Sequence, residues 1–146
     1  MIEKSEFFRI LIPVFCSKGF VRKGLSLYLI GEECVVVVNF QRSQWDAQYY
    51  INIGINMRFL VQTEYPKAES CHIEYRLERF FPQHRELILK ATSLEKCDAT
   101  ILNEFINLVD KSVIPLLKDS LHEKNLREMW TKGLLRREFF CYGFTF

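Results

Sequence analysis

Three strand-like apolar runs follow one another in the first half of the chain: Leu25–Ile30, Cys34–Gln41 and Gln48–Arg58. Their short length and their content of β-branched and aromatic residues are typical of strands. The turn-prone segments Gly31–Glu33 and Arg42–Asp46 that separate them are too short for the crossover that parallel strands require. The pattern therefore predicts three antiparallel neighbours, which form a β-meander.

Helical spacing of apolar residues precedes these runs. Within Ile2–Lys18, the side chains of Phe7, Leu11 and Phe15 recur every four residues and share one face. A glycine follows the segment, at the position where helices commonly end. We therefore predict an N-terminal helix, in which Pro13 is the point where the helix kinks or divides.

Shorter segments follow the predicted meander. Val61–Ser70 is polar, contains a proline and is predicted to be a loop. Cys71–Leu77 alternates polar and apolar residues, as a fourth strand would. Glu86–Ala91 fits either a fifth strand or the first turn of a helix, and we favour the strand.

Two helices are predicted nearer the C-terminus. Asp98–Asp119 has a broad apolar face at helical spacing, which is interrupted by Pro115. Ser120 and Glu123 have the spacing of a capping box, in which the two side chains satisfy backbone amides at a helix start. A second helix is therefore expected to begin at Ser120 and to run to Lys132.

The last residues, Glu138–Phe146, include five aromatic side chains. Aromatic rings bury large areas and seldom remain together in water. We expect this tail to be ordered, either as an added strand on the sheet edge or against a second copy of the chain. A loop tucked over the helices is the simpler alternative.

These elements together predict one α+β domain over residues 1–146. The expected fold is an antiparallel sheet of four or five strands, with the N-terminal helix and the two C-terminal helices packed on one face. The chain of 146 residues is long enough to bury a sizeable core.

Composition argues against several classes of partner and cofactor. The net charge is +2, from 20 basic and 18 acidic residues that are interleaved along the chain, so neither a nucleic acid nor a membrane is expected as partner. The five cysteines are widely spaced and form no C-x-x-C pair. We therefore expect free thiols, no metal and no cofactor. No signal peptide or spanning apolar run is apparent, and a cytoplasmic protein is expected.

Alternation along the strands divides the predicted sheet into an apolar and a polar face. Ile51, Ile53 and Ile55 point to the apolar face. The polar face carries the candidate ligand-binding residues Asn39, Gln41, Asn52, Asn56, Arg58, His72, Glu74 and Arg76. A solvated face is the default interpretation for such a sheet. The excess of amides favours a binding surface, because asparagine is depleted in strands and amides offer donors and acceptors together.

No pattern in the sequence indicates catalysis. Cys71 and His72 are adjacent, but successive strand residues point to opposite faces and cannot form a nucleophile and base pair. The sequence contains no metal-binding histidine pair, nucleophile elbow or glycine-rich phosphate loop. We therefore expect a protein that is not an enzyme.

The order of several short motifs resembles a known family. The motifs are Gly19–Gly24 (GFVRKG), Val38–Ser43 (VNFQRS), Tyr50–Ile55 (YINIGI), Cys71–Leu77 (CHIEYRL) and Val113–Leu117 (VIPLL). In this order they resemble the domain-of-unknown-function family 4304, a set of bacterial proteins, from about Phe7 to Trp130. The resemblance implies a small α+β fold and a bacterial, cytoplasmic setting. It carries no established activity and no catalytic residues.

Two functional hypotheses from different classes remain open. The first is a non-enzymatic protein-interaction module, such as an immunity or adaptor protein in bacterial competition, which a balanced charge and many aromatic residues favour. The second is a small-molecule-binding or catalytic protein that uses the amide-rich sheet face. A homodimer is compatible with either hypothesis.

Overall fold

The computed structural model describes the whole chain, Met1–Phe146. Each strand pairs with its neighbours in the sequence, and all pairs are antiparallel. The sheet consists of β1 (Val21–Lys23), β2 (Ser26–Ile30), β3 (Cys34–Arg42), β4 (Tyr49–Met57) and β5 (Ile73–Arg76), in that spatial order. The predicted β-meander is therefore confirmed.

Helices from both ends of the chain pack on one face of this sheet. They are α1 (Lys4–Cys16), α2 (Leu77–Phe80), α3 (Arg85–Ala91), α4 (Ala99–Leu108), α5 (Ile114–Asp119) and α6 (Glu123–Thr131). The resulting α+β architecture is the predicted one.

The hydrophobic core lies between the helices and the covered sheet face. Ile51, Ile53 and Ile55 of β4 are all buried there, as the alternation of the strand requires. Phe8 of α1 packs edge-to-face on Phe40 of β3, with ring centroids 5.3 Å apart. The helix and the sheet are thus joined through interlocking aromatic and branched aliphatic side chains.

The fifth strand differs from the predicted one. Glu86–Ala91 is helical, because Ile88 and Ala91 lie on one buried face and Glu86 forms an ion pair with Lys90 one turn later, at 2.8 Å. The fifth strand is instead β1, which joins β2 through a tight turn at Gly24 with a φ of 63°.

A π turn joins α4 and α5 into one helical segment. The amide of Ile114 donates to the carbonyl of Val109 across the π turn Val109–Val113. Pro115 follows directly, and a proline ring clashes with the carbonyl four residues earlier in a regular α-helix. The wider turn accommodates this ring, which explains how the predicted helix tolerates its proline.

The predicted capping box at Ser120 does not form. The buried hydroxyl of Ser120 donates back to the carbonyl of Leu116 at 2.8 Å, so Ser120 ends α5 instead of starting a helix. Helix α6 begins at Glu123, whose amide donates to a carboxylate oxygen of Glu33 at 3.3 Å. The cap therefore comes from the turn between β2 and β3. This turn is distant in sequence from α6, so the residues around the helix start cannot indicate the cap.

The C-terminal tail lies across the outer edge of β5 and against α6. Phe140 forms a single antiparallel bridge with Ile73, and the amide of Cys141 donates to the carbonyl of His72 at 2.9 Å. Phe139 is buried, and the ring of Phe140 lies 5.1 Å from that of Trp130 on α6. The tail thus combines a minimal edge pairing with packing over a helix.

Candidate functional site

The second face of the sheet is covered over only part of its area. The turn Ala68–Ser70 packs on it above Gly54 of β4, and a Cβ at Gly54 would lie 2.8 Å from the sulfur of Cys71 and 3.0 Å from the Cα of Ala68. Contacts this short exclude any side chain, so glycine is what permits the turn to approach the strand. A small second core, Tyr28, Val35, Val37, Ala68 and Cys71, is buried beneath the turn.

Beyond this covered area the sheet face is open and forms a cleft of about 610 Å³. The cleft is lined by Asn39, Gln41, Asn52, Glu69, Glu74, Tyr75 and Arg76. Five of these belong to the candidate residues of the sequence, Asn39, Gln41, Asn52, Glu74 and Arg76. The structure therefore brings these five predicted side chains to one concave surface. We refer to this surface as the polar cleft.

The amides of the polar cleft are linked across three strands. Asn52 of β4 donates through Nδ2 to Oε1 of Gln41 on β3 at 2.9 Å, and Asn39 donates through Nδ2 to Oγ of Ser26 on β2 at 3.0 Å. Asn39 and Asn52 are directly opposite each other in the β3–β4 register, and the same Nδ2 of Asn52 lies 3.5 Å from Oδ1 of Asn39. The chain of hydrogen bonds orients the amides and leaves the carbonyl Oδ1 of Asn52 and the Nε2 donor of Gln41 open to the cleft.

Charged groups of both signs stand beside these amides. The guanidinium of Arg76 lies over the ring of Tyr50, 3.9 Å from its centroid. Burial raises the pKa of the Glu74 carboxyl, and the neighbouring Glu69 raises this pKa further, whereas Arg76 lowers it. Neither Glu74 nor Arg76 forms an ion pair with another residue. Their charges are therefore available to a molecule in the cleft.

Asn56 and Arg58 lie outside the polar cleft and bind the backbone. Asn56 is buried, and its Nδ2 donates to the carbonyl of Val61 at 2.8 Å. Arg58 donates through Nη1 to the carbonyl of Gly31 at 2.8 Å. Both side chains therefore hold loops against the sheet.

His72 is also separated from the polar cleft. It is buried at the end of β5 that the tail covers, and its Nδ1 accepts a hydrogen bond from the amide of Met57 at 3.0 Å. An imidazole nitrogen that accepts a hydrogen bond is unprotonated, and burial lowers the pKa of this side chain. The neutral form of His72 is thus part of the folded structure.

The stability of the protein is expected to fall in mild acid because of His72. The folded-state pKa lies below the ordinary value of 6.5, so the unfolded chain binds this proton at a higher pH than the folded chain does. The stabilisation is complete above the unfolded pKa and is lost as the pH falls through 6.5, by at most about 1.4 kcal/mol per pH unit. Urea unfolding measured at a series of pH values checks this dependence.

A comparison of two histidine variants isolates this effect. His72→Gln keeps an acceptor for the amide of Met57 but does not titrate, so its stability should depend less on pH than that of the wild type. His122→Gln changes an exposed histidine that lies 3.7 Å from Glu33, and it should lose less of the pH dependence than His72→Gln does. An unaltered pH dependence in His72→Gln would show that another group is responsible.

The thiols of Cys34 and Cys71 are not suited to act as nucleophiles. Burial raises the pKa of the Cys34 and Cys71 thiols to about 12, so almost none of either thiol is ionised near neutral pH. No three His, Cys, Asp or Glu side chains are arranged to hold a metal ion. No helix has both the length and the apolar character that a membrane crossing requires.

A family model described as "Domain of unknown function (DUF4304)" matches residues 11–119, which is well over half of the chain. The protein belongs to the DUF4304 family. No curated protein and no solved structure matches the chain. All residues that line the polar cleft lie within the DUF4304 match, whereas α6 and the aromatic tail follow it.

The sequence did not indicate a second surface of interest in this DUF4304 protein. Phe59, Leu60 and Val61 follow β4 and have exposed fractions of 62%, 51% and 47%. The ring of Phe59 lies 6.5 Å from Phe144 of the tail. Phe144 in turn contacts the rings of Phe140 and Phe146, at 6.0 and 5.4 Å. We call Phe59, Leu60, Val61, Phe140, Phe144 and Phe146 the apolar patch.

Proposed function

We propose that the protein is a non-enzymatic interaction module that binds another protein through the apolar patch, in the manner of an immunity or adaptor protein. The observation that carries this proposal is the contiguous exposure of Phe59, Leu60 and Val61 next to the aromatic tail. Scattered apolar side chains are normal on a surface, but a contiguous group of this kind is typical of protein interfaces. Aromatic side chains are also the residues that contribute most to binding energy at such interfaces.

The charges around the apolar patch support a different protein as partner. A cavity of about 420 Å³ adjoins the patch between α6 and the tail, and its lining includes Trp130, Phe140 and Phe144. Arg137 is the only charged residue in that lining and has no ion-pair partner. A partner that inserts an apolar side chain and places a carboxylate near Arg137 would complement this surface.

Other observations support a non-enzymatic role in a reducing compartment. All five cysteines are free thiols, and burial raises the pKa of four of them, Cys34, Cys71, Cys97 and Cys141. Free thiols of this kind are typical of cytoplasmic proteins. The buried, neutral His72 is engaged by the backbone and has no acidic partner that would activate it.

Affinity capture with matched variants tests the proposal. Tagged full-length protein is expressed in the native host, and a captured protein is purified and its Kd for the module measured. Phe59→Ser with Leu60→Ser should weaken binding at least about 30-fold, because hot-spot side chains contribute about 2 kcal/mol or more. Both positions are exposed, so the fold should be retained.

Trp45→Ser is the matched control for this double variant. Trp45 is 91% exposed and lies in the β3–β4 connection, at the opposite end of β4 from Phe59. Trp45→Ser should leave the Kd for the captured protein unchanged. Equal binding by the double variant and the control would contradict the proposal. If the molecular mass of the wild type and of Trp45→Ser rises with protein concentration and that of the double variant does not, the apolar patch forms a homodimer instead.

A further inference from the structure

We propose that the polar cleft binds a free α-amino acid with a polar side chain, whose carboxylate contacts Arg76 and whose ammonium lies between Glu69 and Glu74. This site is separate from the apolar patch and from the interaction proposed for it. The inference rests on the charges, orientation and hydrogen-bonding capacity of the cleft residues.

The cleft presents opposite charges that form no ion pair with each other. Glu74 and Arg76 are two residues apart on one face of β5, which separates their Cα atoms by about 7 Å. Neither forms an ion pair, and Glu69 from the Ala68–Ser70 turn adds a second carboxylate beside Glu74. A small molecule with an ammonium and a carboxylate would pair with the acidic side chains and with Arg76 at once, whereas a singly charged ligand would pair with only one of them.

Arg76 is oriented for a carboxylate before any ligand arrives. Its guanidinium carbon lies over the ring of Tyr50, 3.9 Å from the centroid, which restrains the position of the group. Arg76 forms no ion pair, and a guanidinium can contact a carboxylate through two parallel N–H groups. A lysine at this position would offer a single ammonium group without this bidentate geometry.

The amide chain indicates a polar ligand side chain. Asn52 donates to Gln41, so the Oδ1 of Asn52 and the Nε2 of Gln41 form an open acceptor and donor pair on neighbouring strands. An amide or hydroxyl on the ligand can pair with both, whereas an aliphatic side chain would leave them unsatisfied. The cleft volume of about 610 Å³ is within the range of small-molecule sites.

NMR titration of the full-length protein tests the site. The probes are L-glutamine, L-leucine, glycylglycine, propionate and ethylamine. Each is added to about 10 mM, a concentration that would largely saturate a site with a Kd of about 1 mM. L-glutamine should shift the amide signals of Asn52, Glu74 and Arg76 in a saturable manner and more tightly than L-leucine. Glycylglycine distinguishes a peptide ligand from a free amino acid. Propionate or ethylamine acting as strongly as L-glutamine would overturn the zwitterion assignment.

Charge-removing variants decide whether these residues form the site. Arg76→Gln and Glu74→Gln should each weaken L-glutamine binding at least about tenfold, which corresponds to the loss of one charge-assisted contact. Arg9→Gln removes an exposed arginine from α1, on the other side of the sheet, and should leave the affinity unchanged. An equal loss in Arg9→Gln, or no saturable shift with any amino acid, would refute the proposal.

The Phe59→Ser and Leu60→Ser double variant should bind L-glutamine with the wild-type affinity, so the two proposals can fail separately.

Discussion

Phe40→Ala is expected to lower the free energy of unfolding by about 3–5 kcal/mol. Phe40 is only 2% exposed, and its ring fits edge-to-face against Phe8 of α1. Its removal leaves a cavity at the junction of the central strand pair with the N-terminal helix, where neither rigid element can move to fill it. Urea denaturation measures the change directly, and the slope of free energy against urea should remain constant.

Phe59→Ala is the matched control for this core variant. It removes the same side chain from a position that is 62% exposed, so its effect on unfolding should stay within about 0.5 kcal/mol. A Phe40→Ala variant as stable as Phe59→Ala would contradict the assignment of Phe40 to the core.

The alternation of residues was sufficient to predict most of the sheet. In β4 every second residue is apolar, so a slip by one residue would expose Ile51, Ile53 and Ile55 together. The large free-energy cost of such a slip fixes the register, so the buried face can be predicted from the sequence. Glu86–Ala91 offers no such constraint, because a run of six residues with central apolar positions fits a strand or a helical turn equally well. Its helical form depends on the surface against which Ile88 and Ala91 are buried.

The candidate site could be predicted only in part, for a related reason. Alternation assigns a residue to a face of the sheet, and five of the eight candidates do meet in the polar cleft. It does not reveal what covers that face. Gly54 admits the Ala68–Ser70 turn onto one part of the face, and the tail crosses near His72. Asn56 and Arg58 therefore bind loop carbonyls, and His72 accepts a hydrogen bond from the amide of Met57 in β4. Glu69 joins the cleft from the same turn, which appears in the sequence only as a polar loop.

The tail links the polar cleft with the apolar patch. Tyr142 has a positive φ of 58°, which is uncommon for a residue other than glycine, and its hydroxyl donates to the carbonyl of Glu69. Phe144, two residues later, contacts Phe59 in the patch. One short turn therefore touches the wall of the cleft and a ring of the proposed protein interface. The two surfaces are separate in chemistry but share this structural support.

Deletion of Glu138–Phe146 is expected to have an effect at least as large as that of Phe40→Ala. The deletion removes Phe139, which is 2% exposed and packs on Tyr75 with ring centroids 5.2 Å apart, together with three partly buried rings. Loss of a buried phenylalanine alone costs about 3–5 kcal/mol. The melting temperature should therefore fall by roughly 10 °C or more.

Point variants and sedimentation separate the possible roles of the tail. Phe139→Ala should reproduce most of the loss, whereas Tyr142→Ala, at a position that is 72% exposed, should have a smaller effect. If the tail packs on its own chain, deletion changes the sedimenting mass only by the residues removed. A dimer that dissociates on deletion would show that the tail packs against a second copy. An unchanged melting temperature with an unchanged assembly state would mean that the aromatic tail contributes nothing to the fold, which would contradict the buried position of Phe139.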